Sequence, residues 1–444
     1  MLANILKKSL IICILSFSIV FTIEGSNDII TFFNLINGLI SFSIIYNCYS
    51  NNFYSKNQLI FIFVTYSILF ITTLNIISFN YNNDFFVFNS IDAVFYNDIA
   101  IQMNKEYNIS KIMFLLQNQI GYSDMGLPLF LSFLYEIVES NLILNLIYII
   151  VGIYIALLIY NISSFYMSKR YSFLCSLSYS LSSYTLYYFA SGLKEPVLIF
   201  LVLLSIYIYL KRIYFKNKIF LNSLILLSIP LVLILFFRPV ISIFLLISFM
   251  ASYFFKLKSK VYKVFIIVVI LFFISLSFPI LIQESNSFIV GGSFESMIDN
   301  RLNYSNLIKG SVEFTYFTNV VSSLFGPFPN FSSTNIRLSI FASGLVFKSF
   351  LGIFFLLSLV TIIRNKILQF YPLLIFIFFE IISLVLIMEA LELRKSLPHI
   401  PIFFILSFWC LYKLDLEGLK KKKYIINSYF VLIFVAMIIW NFRF

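Results

Sequence analysis

Three short segments place a basic residue just before a proline that opens an apolar run: Lys194-Glu195-Pro196, Arg238-Pro239 and Arg394-Lys395-Ser396-Leu397-Pro398. Proline is favoured in the first turn of a helix. The open N–H groups of such a helix start attract anions, and an adjacent Lys or Arg adds full positive charge. If the three helix starts meet in the folded chain, they form a phosphate or diphosphate site. The alternative is that each basic residue is an anchor that reaches lipid head groups.

Carboxylates form the second set of candidates. Asp92 and Asp98 flank Tyr96, and Glu195 directly follows Lys194. A carboxylate close to a hydroxyl group can act as a general base or orient that hydroxyl for attack. If the segment is helical, Asp92 and Tyr96 share one face, whereas Asp98 lies about 120° away. The spacing therefore predicts no cooperative pair of aspartates. Solvation in a loop is the alternative role for these acids.

His399 is the only histidine of the chain, which excludes a His-rich metal site and argues against a Ser-His-Asp triad. It lies close to Arg394 and Lys395, so it is a candidate for substrate contact, with a structural role as the alternative. No spacing motif supports a divalent cation, although oxygen ligands for one occur at Asp92, Asp98, Glu295 and Asp299. We therefore expect no metal and no cofactor.

Two ionisable residues interrupt long apolar runs, Lys348 and Glu380. An ionisable group deep in a membrane is costly and needs a partner. Both residues lie at a similar distance from the same end of their runs, which predicts a structural ion pair. A proton-coupling role is the alternative, and it would indicate transport.

The composition predicts an all-α polytopic membrane protein with a single integral membrane domain over residues 1–444. The chain is 61% hydrophobic and 11% charged, with mean hydropathy +0.98 and 56 Phe. Spans of about 20 apolar residues require this balance, and backbone groups in hydrocarbon must pair internally, as they do in helices. We predict 12 or 13 transmembrane helices, at residues 9–23, 29–48, 59–79, 141–166, 171–189, 196–210, 219–237, 239–255, 264–283, 339–361, 367–389, 400–413 and 424–441.

The charges alternate between the loops that connect these spans. Lys and Arg are concentrated in every second loop, whereas Asp415 and Glu417 are the only acids found there. Short basic loops stay in the cytoplasm, which predicts a cytoplasmic N-terminus. Two long loops, residues 80–126 and 284–338, then lie outside, and residues 127–137 are predicted as a surface or re-entrant helix. The net charge of +12 indicates an anionic leaflet rather than nucleic acid as the partner.

The order of these segments resembles a known family. An outer loop with IDAVFYNDIA precedes GLPLFLSFLY, then a span that leads through SLSYSLSSYTLYYFASGLKEP, then FRPVISIFLL, and finally ELRKSLPHIPIFFIL. This layout, over residues 85–410, resembles polytopic glycosyltransferases of the GT-C type that use polyprenyl-linked sugars. It looks most like the bacterial O-antigen and capsule polymerases of the Wzy type.

The resemblance implies a GT-C-like fold and an enzyme that transfers a glycan from an undecaprenyl-diphosphate donor to an acceptor sugar. The reaction would take place on the periplasmic face of the bacterial inner membrane. Asp92 matches the acid of the family's first loop, and Lys194, Arg238 and Arg394 match basic positions that contact lipid phosphate. The implied partners are the lipid-linked oligosaccharide, membrane lipids, a chain-length regulator and a flippase.

The sequence predicts a catalytic or a binding role for each candidate residue. Catalysis is assigned to Asp92, Asp98 and Glu195, and binding of the lipid diphosphate to Lys194, Arg238, Arg394, Lys395, His399 and Tyr96. One alternative is a transferase of a single sugar from undecaprenyl-phosphate-sugar. Another is a flippase or other transporter of lipid-linked oligosaccharide, which should carry charges at several membrane depths. A non-catalytic assembly protein is a third. The clustering of charges at the outer face favours an enzyme.

Overall fold

The computed structural model describes residues 29–82, 91–105, 124–137, 140–215, 221–257, 336–386, 393–417 and 423–441, with isolated residues elsewhere. The helices are α1 (Ile29–Ser50), α2 (Lys56–Asn82), α3 (Ile91–Lys105), α4 (Gly126–Tyr135), α5 (Asn141–Ser163), α6 (Lys169–Ser180), α7 (Ser183–Ala190), α8 (Glu195–Ile208), α9 (Leu221–Phe237), α10 (Pro239–Lys256), α11 (Ile336–Arg364), α12 (Tyr371–Leu386), α13 (Leu393–Ser396), α14 (Ile400–Glu417) and α15 (Lys423–Asn441). A π-helical turn, Tyr209–Tyr214, extends α8, and a 3₁₀ turn, Leu368–Phe370, precedes α12.

The described residues confirm an all-α polytopic membrane protein. Seven of their helices are long and apolar enough to cross a membrane, and α4 and α9 are shorter apolar helices. The predicted spans 9–23 and 264–283 and the loop 284–338 lie almost entirely outside the described residues. The total of 12 or 13 spans therefore stays a prediction. The seven long apolar segments are Lys56–Asn80, Ile143–Ser163, Glu195–Tyr214, Pro239–Lys256, Ser339–Arg364, Leu368–Val385 and Tyr424–Asn441.

The single span predicted at residues 171–189 is wrong. The structure breaks it into α6 and α7, with Leu181 and Ser182 between the two helices. The backbone N–H of Ser182 donates to the carbonyl of Tyr179 at 3.1 Å, and its side chain donates to the carbonyl of Ser178 at 2.8 Å. Serine hydroxyls compete in this way with the helical hydrogen bonds of the backbone. A serine-rich apolar segment can therefore form two short helices instead of one long one.

Helix α11 lies at the centre of the bundle and packs against α1, α7 and α14. Close packing against α7 depends on Gly344, because a Cβ atom there would lie 2.8 Å from Cδ1 of Tyr184. Aromatic rings fill the contact with α14, where the Phe355 and Phe403 rings are 4.7 Å apart. These contacts bring the two halves of the chain together in one core.

One end of the bundle gathers turns that the charge pattern predicts to be cytoplasmic. The Arg170 guanidinium donates to the carbonyl of Tyr49 at 2.6 Å, and the Tyr166 hydroxyl donates to the carbonyl of Gln369 at 3.0 Å. These contacts join the ends of α1, α5 and α6 to the turn before α12. The predicted outer turns meet at the opposite end, where the candidate site lies.

Helices α3 and α4 pack side by side at that opposite end. One face of helix α3 is buried and carries Tyr96 and Ala100, whereas Asp98 and Gln102 on the other side are exposed. Helix α4 covers most of the segment predicted to be a surface or re-entrant helix. The Tyr135 hydroxyl of α4 donates to Oδ1 of Asn97 in α3 at 2.5 Å. The two helices therefore support each other at the edge of the bundle.

Candidate functional site

The structure brings the three basic turns of the sequence together. The Lys194 ammonium donates to the carbonyl of Phe237, directly before Arg238, at 2.9 Å. The Arg394 Nε donates to Oε1 of Glu195 at 2.5 Å. The starts of α8 and α10 and the short helix α13 therefore lie at one place. Positive helix ends and basic side chains converge there, as an anion site requires.

Arg394 is the centre of this cluster. Besides its hydrogen bond to Glu195, its guanidinium forms an ion pair with Asp92. The two carboxylates differ in accessibility, because the Glu195 side chain is 0% exposed and the Asp92 side chain is 49% exposed. Burial alone would lower the pKa of Arg394, but Glu195 and then Asp92 raise it above its ordinary value. Arg394 is therefore a fixed positive charge.

Glu195 is held too tightly for the catalytic role predicted from the sequence. Its Oε1 accepts from Arg394, and within the described part of the chain Oε2 accepts no hydrogen bond. A fully buried carboxylate that is already paired cannot reach a substrate as a mobile base. The geometry makes Glu195 the residue that positions Arg394.

Lys194 is bound on two sides. Its ammonium forms an ion pair with Asp124, in addition to its hydrogen bond to the carbonyl of Phe237. These contacts tie the start of α8 to the turn before α10 and to Asp124, two residues before α4. Asp124 was not among the residues predicted from the sequence. The signal for it was an acid at the end of the first outer loop, two residues before the GLPLF segment.

Arg238 caps α10 in an extended conformation, with φ −163° and ψ 92°, and Pro239 follows in the first helical turn. Its side chain is partly accessible, and its charge acts on both Lys194 and Glu195. No ion pair involves Arg238 in the described ranges of the chain. Lys395 is also partly accessible and acts electrostatically on Lys194. These two side chains border the cluster on its accessible side.

Tyr96 lies beside Arg394 and is 5% exposed. Burial raises the pKa of Tyr96 to about 12, while the neighbouring charge of Arg394 acts in the opposite direction. The phenol therefore stays protonated at neutral pH and can donate a hydrogen bond. Asp92 and Tyr96 face the same cluster, as the helical spacing predicts.

One prediction about this region needs correction, and one candidate residue lies apart from the cluster. Asp98 is exposed, on a different side of α3 from Asp92, so the structure gives it no place in the Arg394 cluster. Its catalytic role stays a prediction. Pro398 does not open a helix, because residues 397–399 form a turn and α14 begins at Ile400. The Phe403 N–H donates to the carbonyl of His399 at 3.0 Å, so His399 is the N-cap residue of α14.

His399 points away from the accessible side of the cluster. It is 1% exposed, and its Nδ1 lies 3.9 Å from Oε2 of Glu380. The Lys348 ammonium lies 5.2 Å from the centre of the Phe403 ring, and its charge also acts on His399. Burial lowers the pKa of His399, Glu380 opposes this shift, and Lys348 adds to it. The two mid-membrane ionisable residues thus meet at His399, which we name the His399 cluster.

The described residues contain no group of three or more His, Cys, Asp or Glu side chains that could hold a metal ion. Glu295 and Asp299, two of the oxygen ligands considered from the sequence, lie outside the described residues. Asp92 is instead committed to Arg394. The cluster as described therefore favours an anionic ligand.

Comparisons with protein-family models, with curated proteins and with solved structures found no match to this chain. The site itself is therefore the basis for assigning a function. Its elements are two positively polarised helix starts, four basic side chains, a protonated phenol and an accessible carboxylate.

Proposed function

We propose that this protein is a membrane glycosyltransferase that uses a polyprenyl-diphosphate-linked glycan as donor and joins repeat units into a surface polysaccharide. The observation that carries the proposal is the convergence of Lys194, Arg238, Arg394 and Lys395 at the starts of α8 and α10. Such a set of donors matches a diphosphate whose negative charge increases as it leaves. Its predicted position is the outer face of the bacterial cytoplasmic membrane.

The reaction needs one bond to form and one to break. The acceptor hydroxyl oxygen attacks the anomeric carbon of the donor, and the bond from that carbon to the diphosphate oxygen breaks. The electron pair stays on the departing diphosphate, which Arg238 and the helix starts stabilise. The hydroxyl proton passes to a carboxylate. Asp92 fits this role best, because it is the accessible acid of the Arg394 cluster.

Arg394 links the two halves of this scheme. A diphosphate competes with Asp92 for the guanidinium, since both are anions that accept from planar N–H donors. Glu195 keeps Arg394 in place while this exchange happens. Donor binding would then release the Asp92 carboxylate for the acceptor hydroxyl. Without a bound donor, Asp92 would remain in its ion pair with Arg394.

A transporter of lipid-linked glycans is the second candidate. The observations that favour it are the buried His399 cluster and the discontinuous helix formed by α6 and α7. Intramembrane ionisable groups and broken helices both occur at transport sites. The anion-binding groups of this protein, however, lie at helix starts at one end of the bundle. That arrangement favours an enzyme acting at one leaflet.

Deletion of the gene in its native host, followed by gel analysis of surface polysaccharide, tests the proposal. Loss of the length ladder with single repeat units retained on the lipid core supports the polymerase. A ladder that remains but lacks one sugar in each repeat supports a single-sugar transferase. Loss of all substituted core indicates a flippase or an earlier step, and an unchanged polysaccharide would falsify the proposal.

Complementation with variants connects this result to the site. Arg238→Ala should fail to restore the ladder, because it removes an accessible cation next to the helix starts. Arg212→Ala is the matched control, since Arg212 is exposed and lies in the π-helical turn at the predicted cytoplasmic end of α8. Both variants must reach the membrane in equal amounts by immunoblot. If Arg238→Ala restores a full ladder, the diphosphate site is assigned wrongly.

A further inference from the structure

The carbonyl of Phe237 lies at the junction of α9 and α10, where the helical hydrogen bonding is interrupted. The Ile241 N–H would pair with this carbonyl if α9 continued, but it donates to the carbonyl of Arg238 at 3.2 Å. The Lys194 ammonium supplies the missing donor, at 2.9 Å from the Phe237 oxygen. A lysine can cap the last carbonyls of a helix in this way. A side chain from the start of α8 therefore fixes the backbone directly before Arg238.

Lys194 is poorly placed to bind an anion itself. Its side chain is 5% exposed, and its charge is paired with Asp124. Two of its N–H groups therefore already have acceptors within the protein. Arg238, in contrast, is partly exposed. The anion-binding role thus suits Arg238 better than Lys194, although both lie at the same junction.

The ring of Phe237 is fixed as well as its carbonyl. The ring packs directly against Gly126 at the start of α4, where a Cβ atom would lie 2.7 Å from Cδ2 of the ring. Any larger residue at this position must therefore displace the ring. Asp124 lies two residues before Gly126 in the chain. One short segment thus supports Phe237 in two ways, through its ring and, by means of Lys194, through its carbonyl.

The backbone of Arg238 has little freedom. Its N–H donates to the carbonyl of Ile234 in α9 at 2.8 Å, and its carbonyl accepts from Ile241 in α10. It adopts an extended conformation between the two helices, with φ −163° and ψ 92°. The N–H bonds of an arginine to a phosphate are directional. A small displacement of Phe237 should therefore misdirect the Arg238 guanidinium.

We propose that Lys194, Asp124 and Gly126 are positioning residues that act on the bound anion through Arg238. Lys194 holds the Phe237 carbonyl, Asp124 holds Lys194, and Gly126 leaves room for the Phe237 ring. This assignment rests on the anion site proposed above. It differs from the direct contact with phosphate that the sequence predicts for Lys194.

A double-mutant cycle with pyrophosphate as the probe tests this assignment. Isothermal titration calorimetry measures the dissociation constant for the full chain in nanodiscs of an uncharged lipid, at fixed ionic strength. Arg238→Ala should weaken binding about tenfold or more, as expected for loss of a charged hydrogen bond. Lys194→Met should weaken it several-fold. The double variant should bind as Arg238→Ala does, because Lys194 acts through Arg238.

The outcomes separate this inference from the proposed function. Additive losses in the double variant would overturn the inference and leave the anion site in place, because both cations would then contact pyrophosphate independently. A wild-type protein that binds no pyrophosphate, or an Arg238→Ala variant that binds it normally, would overturn the anion site and the inference together.

Gly126→Ala supplies a second test in which every charge is kept. The added methyl group should displace the Phe237 ring and weaken pyrophosphate binding several-fold, and Gly126→Ala/Phe237→Leu should recover part of the loss. Gly152→Ala is the matched control, because it places a methyl group 2.6 Å from Cζ of Phe63 in the middle of α5. It should lower the melting temperature and leave binding unchanged. Equal weakening in both glycine variants would overturn the proposal, since a general loss of stability would then explain it.

Discussion

Glu195 and Arg394 lie 199 positions apart and are joined by a hydrogen bond of 2.5 Å from Nε of Arg394 to Oε1 of Glu195. This contact fixes the start of α8 against the turn that precedes α14. The glutamate is fully buried, and the arginine side chain is 16% exposed. Two segments from opposite halves of the chain therefore build one site around a buried ion pair.

Removal of one partner of this pair should destabilise the protein strongly. Arg394→Gln leaves the buried Glu195 carboxylate without its counter-charge, which costs about 3–5 kcal/mol. Thermal unfolding of the purified protein in detergent measures the effect. The double variant Arg394→Gln/Glu195→Gln should be more stable than Arg394→Gln, because it leaves no buried unpaired charge; the Asp92 carboxylate, which also loses its partner, is 49% exposed. Arg364→Gln is the control at an exposed position. Equal stability of Arg394→Gln and the control would show that the pair contributes nothing.

Asp92→Asn should separate activity from stability. The Asp92 side chain is about half exposed, so its ion pair with Arg394 contributes at most about 1 kcal/mol to folding. Loss of a positioned carboxylate, in contrast, lowers the transfer rate by about 10²-fold or more. Glycan transfer in membranes from the deletion strain measures the rate.

The matched control for Asp92→Asn is Asp98→Asn. Asp98 is exposed on the same helix, α3, and lies about 120° around it from Asp92. Its replacement should leave transfer close to the wild-type rate. If the two variants lose equal activity, the total charge of α3 determines the rate, and the position of Asp92 does not.

The transmembrane helices can be predicted from the sequence because apolar runs of this length have few alternatives in a bilayer. The proline-opened starts of α8 and α10 are equally local, since Pro196 and Pro239 determine the first turn of each helix. The break at Leu181 and Ser182 is different. Residues 171–189 are apolar enough for one span, and only hydrogen bonds from Ser182 back to the preceding turn divide it.

The sequence predicts most of the residues that form the candidate site. It does not predict which of them form ion pairs with one another. The membrane topology predicted from the loop charges places Lys194, Arg238 and Arg394 at one end of the bundle. It does not predict which acid forms an ion pair with each of them. Asp124 pairs with Lys194 only because α4 packs beside α3 and α9, a tertiary contact with no local signal. Asp98 resembles Asp92 in sequence context, and only the orientation of α3 separates them.

Gly152→Ala should destabilise the bundle between α2, α5 and α7. A Cβ atom at this position would lie 2.6 Å from Cζ of Phe63 and 2.9 Å from Cε2 of Phe189. Overpacking of this kind costs about 1–3 kcal/mol. The double variant Gly152→Ala/Phe189→Leu replaces one of the two aromatic rings with a smaller side chain. It should recover part of the lost stability. Melting temperatures of the three proteins in one detergent test this, and no recovery in the double variant would place the strain elsewhere.

His399 should make the stability of the protein depend on pH near neutrality. Burial lowers the pKa of His399 in the folded state below its ordinary value near 6.5, against the opposing effect of Glu380. The unfolded chain therefore binds more protons in this range, so stability rises with pH. The stabilisation is fully present above pH 6.5 and decreases as the pH falls toward the lower folded-state pKa.

Melting temperatures between pH 5 and pH 8 measure this dependence against His399→Gln, which carries no titrating group at that position. The wild-type protein should lose stability on acidification, and the His399→Gln variant should lose less. Glu380→Gln removes the carboxylate that favours the charged imidazole. The melting temperature of this variant should therefore depend more steeply on pH than that of the wild-type protein. If the wild-type protein instead gains stability on acidification, His399 is protonated in the folded protein and forms an ion pair with Glu380. In that case, the charges of His399 and Glu380 would cancel, and Lys348 would supply the remaining positive charge of the buried cluster.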